Sequence, residues 1–369
     1  MNEISNRLSE VRRARGVSAA DLAHRVGVSR QAIHAMEAGG YSPNTAVALK
    51  LARELEVPVE ELFWLDESQR WPGPAGAVPA SVLSATPVED GQALRLCRVG
   101  GRMVGVPAKA VPYFLPEADG MVVKGGRAAP LFTSEEDDGR RLVVAGCDPA
   151  IGLLGRTVER ESGVDFVPAP ASSRLALRWL MEGKVQVAGS HLKDPESGEF
   201  NVPILRREYP GEDLVVVTFA RWDEGIVTAR GNPKEIREIG DLARGDVRLM
   251  NRETGSGSRA LLDRELAAAG VSKTRVAGYE RVAYGHLAAA YAVVSGEADA
   301  CIAARSAAQA FGLAFQSLEA ERYDFVLTRP ALELQAVQAL LDVLQKTSLR
   351  RKLERLAGYD TTQTGATVA

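Results

Sequence analysis

Two runs of hydroxyl and glycine residues hold the clearest chemistry in this 369-residue chain. Ser172 and Ser173 stand between a strand-like stretch, VDFVPAP, and a helix-like one, SSRLALRWLMEG. Thr254, Gly255, Ser256, Gly257 and Ser258 stand in the same way between VRLMN and the helix-like GSRALLDRELAAAG. Helix starts offer unpaired backbone N–H groups and a positive dipole end; hydroxyls add neutral donors, and glycine lets a ligand come close. Ligands of open α/β sheets sit beyond the carboxyl ends of the strands, where both runs fall. Ser190 and His191 end a third strand and are expected to complete the pocket. Arg252 brings charge to the same loop, and Tyr279 follows another strand end. Such donors suit a compact tetrahedral oxyanion held without a full countercharge. Sulfate and phosphate satisfy them equally. Asp148 and Glu280, if they face the cleft, favour a cationic or hydroxylated organic ligand instead.

A second set of polar residues needs a different scaffold. Ser18 suits the N-cap of a helix over Ala19–Val26, with Asp21 placed for a capping box, and Gly27 suits the left-handed residue that ends it. Ser29 then caps a second short helix, in which Ile33 and Met36 point inward while Arg30, Gln31 and His34 point out. Two short helices across a glycine turn make a helix-turn-helix, whose second helix can enter a major groove. Arg30, Gln31 and His34 are then expected at base edges, with Ser18, Ser29, Asn44 and Thr45 near phosphates. Ile4, Leu8 and Val11 give a preceding helix its apolar stripe; Asn44 starts another through Leu55, and PVEELFWL adds a last one. Groove-reading modules of this size bind as pairs, so a homodimer or higher oligomer on double-stranded DNA is expected.

Catalysis finds little support. There is no metal-ligand spacing, no GxSxG elbow, no Walker loop and no GxGxxG after a strand. Ser256–Ser258 resembles a nucleophile loop only if His191 is its base, and no orienting carboxylate is evident. No catalytic residue, no cofactor and no metal site is therefore expected. The net charge of −3 means that DNA contact must come from local arginines, not from bulk charge. Cys97, Cys147 and Cys301 are far apart in apolar runs and read as buried free thiols. Neither a signal-peptide pattern nor an apolar run near the roughly 20 residues of a membrane span is present, so a cytoplasmic protein is expected.

Taken in order, the chain reads as multidomain. Residues 1–65 form an all-α helix-turn-helix bundle, and 66–92, rich in Pro, Gly, Ala and Ser, a linker. Residues 93–140 form a small β-rich segment with a hairpin at LRLCRVGGRMVGV, strands at MVVK and APLF, and an acidic turn at 134–139. From 141 to 360 strands and helices alternate, as parallel α/β units require. Two such sets, joined by long strands at DLVVVTFA and RYDFVLTRP, give two lobes around a cleft. TRVAGY is read as one of the strands, and residues 361–369 as a frayed tail.

Residues 1–65 resemble the Cro/repressor-type helix-turn-helix domain of XRE-family transcription regulators, a five-helix bundle. The resemblance rests on RRARGVS, DLA and GVSR, with Ile33, Glu37 and Pro43. Ala19 stands where many members carry a phosphate-touching Gln. Residues 141–360 resemble the type 2 periplasmic-binding-protein-like domain found fused to such regulators and near molybdenum-cofactor genes. GCDPA, AGSHLKDPESGE, NRETGSGSR and AGYER carry that likeness. The two resemblances imply a ligand-sensing transcription regulator, with molybdate or tungstate as the first candidate ligand. A small organic metabolite, or a constitutive regulator whose C-terminal domain only oligomerises, remains the alternative.

Overall fold

A computed structural model describes residues 4–65, 78–108, 115–123, 127–130 and 140–369, in two units divided at Ala77/Val78. The first unit holds α1 (Leu8–Ala14), α2 (Ala19–Val26), α3 (Arg30–Glu37), α4 (Thr45–Leu55) and α5 (Val59–Leu62). Side-chain caps start three of them. Ser18 Oγ accepts the Asp21 N–H at 3.1 Å, Ser29 Oγ that of Ala32 at 3.0 Å, and Asn44 Oδ1 that of Val47 at 2.9 Å. Gly27, at φ 81°, ends α2 in the left-handed region. Leu8, Leu22, Val26, Ile33, Met36, Leu51, Leu55 and Leu62 close one core. Arg12 spans that core's edge to Glu37 at 2.6 Å, an ion pair largely shielded from water. Ile4 is not on the first helix. It belongs to β1 (Ile4–Asn6), antiparallel to β2 (Phe63–Leu65), so the FWL of the expected last helix is a strand. Asn6 Oδ1 accepts the Leu8 N–H, which lets the chain turn into α1 only there.

The second unit begins inside the expected linker. Residues 66–77 lie outside the described residues, but 78–92 are structured. β3 (Ser81–Val82) lies parallel to β5 (Arg102–Pro107), itself paired with β4 (Ala93–Val99) across the Gly100–Gly101 turn. β6 (Gly120–Val123) and β7 (Arg127–Pro130) complete a five-stranded sheet, β3-β5-β4-β6-β7. Backbone pairing here outweighs a composition that reads as linker. The expected acidic turn at 134–139 lies outside the described residues.

The larger sheet has eight strands. β8 (Arg141–Gly146), β9 (Asp165–Pro170) and β10 (Val187–Ser190) run parallel with α6 (Ile151–Ser162) and α7 (Ser173–Met181) between them. After α8 (Val202–Glu208), the long β11 (Leu214–Thr228) crosses to the second lobe. That lobe holds β12 (Leu249–Arg252), α9 (Gly257–Ala268), β13 (Val282–Ala283), α10 (His286–Val294), β14 (Ala300–Ala304) and α11 (Arg305–Ala310). β15 (Ala314–Thr328) returns antiparallel to β11, and α12 (Gln335–Leu344) and α13 (Thr347–Ala357) close on the first lobe's core. The order β13-β12-β14-β11-β15-β10-β8-β9 places the two crossing strands in the middle, a lobe on each side. Arg95 reaches Asp165 at 2.6 Å and Arg141 reaches Asp119 at 2.8 Å, tying the small sheet to the first lobe.

Two expectations are corrected here. TRVAGY is not a strand: Lys273–Arg275 is a 3-10 turn, and Gly278, at φ +90°, presses on the Leu249 carbonyl where a Cβ would overlap it. Residues 361–369 are not frayed. The Thr218 N–H donates to Ala366 O and that of Val216 to Ala369 O, both at 2.9 Å, while Thr364 Oγ1 donates to Phe219 O at 2.6 Å. The tail satisfies the edge of β11 that β14 leaves open, so its polar composition hides a pairing role. No helix of the described residues is long and apolar enough to cross a membrane.

Candidate functional site

α3 carries the three residues expected at base edges. Ile33 and Met36 are buried while Arg30, Gln31 and His34 are exposed, and Arg30 Nε lies 3.4 Å from His34 Nε2. Ser18, Ser29, Asn44 and Thr45 are also exposed. Three of these four spend a side-chain oxygen on a cap, which fixes the helix starts.

The expected ligand residues do not gather at one point. Ser172, Thr254 and Gly255 line an open cavity of about 430 Å³ together with Arg174, Arg178 and Glu253. Thr254, Gly255, Ser256 and Gly257 line a second, of about 250 Å³, with His191. The loops of the two lobes touch here: the Arg174 N–H reaches Gly255 O at 3.4 Å. Three of the hydroxyls are turned inward. Ser173 Oγ accepts the His191 N–H, Ser256 Oγ donates to Glu253 O at 2.8 Å, and Ser258 Oγ accepts from Arg252 Nη1 at 3.3 Å. Ser190 is fully buried, and so is Arg252, whose guanidinium pairs with Glu253 at 2.9 Å. Tyr279 is not a cleft residue. The turn at Gly278 directs it into the second lobe's core, where its hydroxyl donates to Asp263 at 2.5 Å and Arg259 stacks on its ring.

Sequence reasoning passed over a third cavity, of about 360 Å³. The GCDP loop lines it from the first lobe, Glu253 and Tyr284–Ala288 from the second, and Leu83–Thr86 and Pro107 from the small sheet. Its floor is polar. Cys147 Sγ lies 3.4 Å from His191 Nε2, and His191 Nδ1 lies 2.5 Å from Glu321 Oε2, which also accepts from Trp222 Nε1. The Ala304 N–H donates to His286 Nδ1 at 3.1 Å. Glu224 is fully buried, and neither of its carboxylate oxygens has a hydrogen-bond partner; His286 Nδ1 lies 3.5 Å and His191 Nδ1 3.7 Å away. Gly257 lets α9 approach closely, because a Cβ there would overlap the His191 ring. The sequence signal was Cys147 itself, directly after a buried strand and before a helix start.

Burial sets the charges of the buried groups here. It pushes Glu321 up to about 7 and Glu224 well above the usual carboxylate range, the latter helped by the charge of Glu321. Asp148 also rises to about 7 through burial. His286 falls well below the usual imidazole value through burial and the nearby Arg252. His191 is lowered by burial but raised more by Cys147 and Glu224, and ends above its usual value. The expectation of no metal-ligand grouping rested on spacing alone. The fold brings one ligand atom each from Cys147, His191 and His286, and likewise from His191, Glu224 and Glu321, within 4.8 Å of one another.

A family model for the PBP superfamily domain matches residues 155–345, more than half of the chain, and a helix-turn-helix model matches residues 8–62. The chain belongs to the PBP superfamily-domain family. This PBP-superfamily chain is 34% identical to the uncharacterized protein YvgK of Bacillus subtilis (strain 168), over 66% of its own length and 79% of that protein's. Its N-terminal domain is of the XRE type. It is 38% identical to the uncharacterized HTH-type transcriptional regulator YgzD of the same organism, over 17% of this chain and 97% of that one. Among solved structures it is loosely similar to the sulfate-binding protein SubI from Mycobacterium tuberculosis H37Rv, at 20% identity and a TM-score of 0.43, covering 59% of this chain and 86% of that one.

Proposed function

We propose that this chain is a transcription regulator that reads DNA with α3 and adjusts its grip when a small molecule occupies the interlobe cleft. What supports the reading is one chain that carries both an exposed polar reading face on α3 and a cavity walled by two lobes on crossing strands. Arg30, Gln31 and His34 would meet base edges. Ser18, Ser29, Asn44 and Thr45 would lie at the backbone, on a homodimer spanning paired half-sites. Ligand closure can shift DNA affinity only by its differential affinity for the two states, typically about 1–3 kcal/mol. A cytoplasmic protein without catalytic turnover is the setting that this reading requires.

The test is a band shift on DNA upstream of its own gene. Arg30→Ala and Gln31→Ala should each weaken binding about tenfold or more, as the loss of a base contact does. Binding equal to wild type in both variants refutes the assignment of α3.

A second reading of the ligand keeps the oxyanion. Ser172, Thr254 and Gly255 share their 430 Å³ cavity with Arg174 and Arg178, a donor set suited to molybdate, tungstate, sulfate or phosphate. Calorimetric titration with each of the four should give heat that Arg178→Ala abolishes. No heat from any of them removes this reading.

A further inference from the structure

Cys147, His191 and Glu321 come from a loop after β8, the end of β10 and the middle of β15, yet they stand in a line. Sγ to Nε2 is 3.4 Å and Nδ1 to Oε2 is 2.5 Å. That is a nucleophile, its base and the group that orients the base. Trp222 Nε1 and the close approach of Gly257 hold Glu321 and His191 in place. The Nδ1 of His286 accepts a backbone N–H, so the proton of its neutral ring sits on Nε2, which is buried and has no partner. A ring nitrogen of His286 lies within 4.8 Å of Cys147 Sγ. Cys147 is half-exposed, and its open side is the 360 Å³ cavity.

We propose that Cys147 captures a small, neutral carbonyl compound in this cavity as a reversible covalent adduct. The Sγ–C bond forms as the C=O π bond breaks, and its electron pair moves to oxygen beside His286 Nε2–H. His191 Nε2 takes the thiol proton and delivers it to that oxygen. The product is a hemithioacetal, and no oxidant or co-reactant is consumed. A neutral ligand follows from the walls: among the described residues no Lys or Arg lines the cavity to hold an anion, while Leu83, Pro107, Ile151 and Leu287 supply apolar contact. Metal binding fits less well. Zinc needs a lone pair on His286 Nε2, but the Ala304 N–H already holds the Nδ1 lone pair, so Nε2 carries the proton. The proposal names the ligand class for the cavity of the proposed regulator; its test involves no DNA, so either can fail alone.

The experiment follows alkylation of the full chain by iodoacetamide, with Cys147 read by peptide mass spectrometry. In the wild-type protein at pH 7 the rate should exceed that of free cysteine several-fold. His191→Gln should slow it about tenfold or more, and Glu321→Gln should return it toward the rate of free cysteine. Propanal should protect Cys147 saturably. If wild-type Cys147 reacts no faster than free cysteine, the relay is overturned without recourse to any variant. Fast alkylation without protection by propanal overturns the carbonyl assignment. Protection by micromolar zinc that EDTA reverses, with none by propanal, overturns the proposal in favour of a metal site.

Discussion

His191 meets residues far away in the chain: Cys147, Glu321 and Gly257 all converge on one ring. No local pattern announces that, because spacing rules describe neighbours on one helix or strand and this cluster spans several. The serines show the opposite failure. Their positions at helix starts were legible, but whether an Oγ faces a ligand or its own backbone depends on packing across lobes, and Ser173, Ser256 and Ser258 face inward. At this scale Gly257→Ala is expected to cost about 1–3 kcal/mol, because the new methyl must displace a packed ring. Chemical denaturation measures it, and an unchanged midpoint would mean that His191 yields freely. Asp299 gives a pH-dependent case. Burial pushes it up, but Arg248 and Lys234 outweigh that and hold it down at about 2. A depressed carboxyl stabilises the fold above its unfolded value of about 3.9 and loses that contribution as pH falls through about 2. Asp299→Asn should therefore destabilise by about 1 kcal/mol at pH 7, after allowance for solvent screening, and by much less near pH 2. Urea melts at both pH values decide it.

Elements were more legible than sites. The caps Ser18, Ser29 and Asn44, the Gly27 stop and the strand–helix alternation after Arg141 are local signals, and the structure places helices and strands accordingly. α13 also carries a readable pattern, with Leu349, Leu353 and Ala357 four apart and Gly358 in the left-handed region after it, which the alternating reading passes over. What was not legible is pairing. Residues 78–92 and 361–369 are poor in strand signals because their hydrogen bonds are made to partners far away in sequence. The tail makes the stronger test. Truncation after Asp360 removes several backbone hydrogen bonds to β11 and the buried Thr364 bond, at about 0.5–1.5 kcal/mol each. Calorimetry should show a fall of several degrees in Tm; an unchanged Tm would mean that the tail only rests on the sheet.

For the whole molecule, a reading domain and a two-lobed domain on one chain matter only if they are coupled. Coupling is a free energy, and a ligand that binds every state equally shifts nothing. The measurement that bears on this most directly is fluorescence anisotropy of upstream DNA titrated with the full chain. It is run without and with a saturating concentration of a compound that raises the Tm of the wild type but not of a variant with the 360 Å³ cavity blocked. The account predicts a change in Kd of roughly 5–150-fold, in either direction, corresponding to about 1–3 kcal/mol of coupling. An identical Kd with and without the bound compound would contradict it.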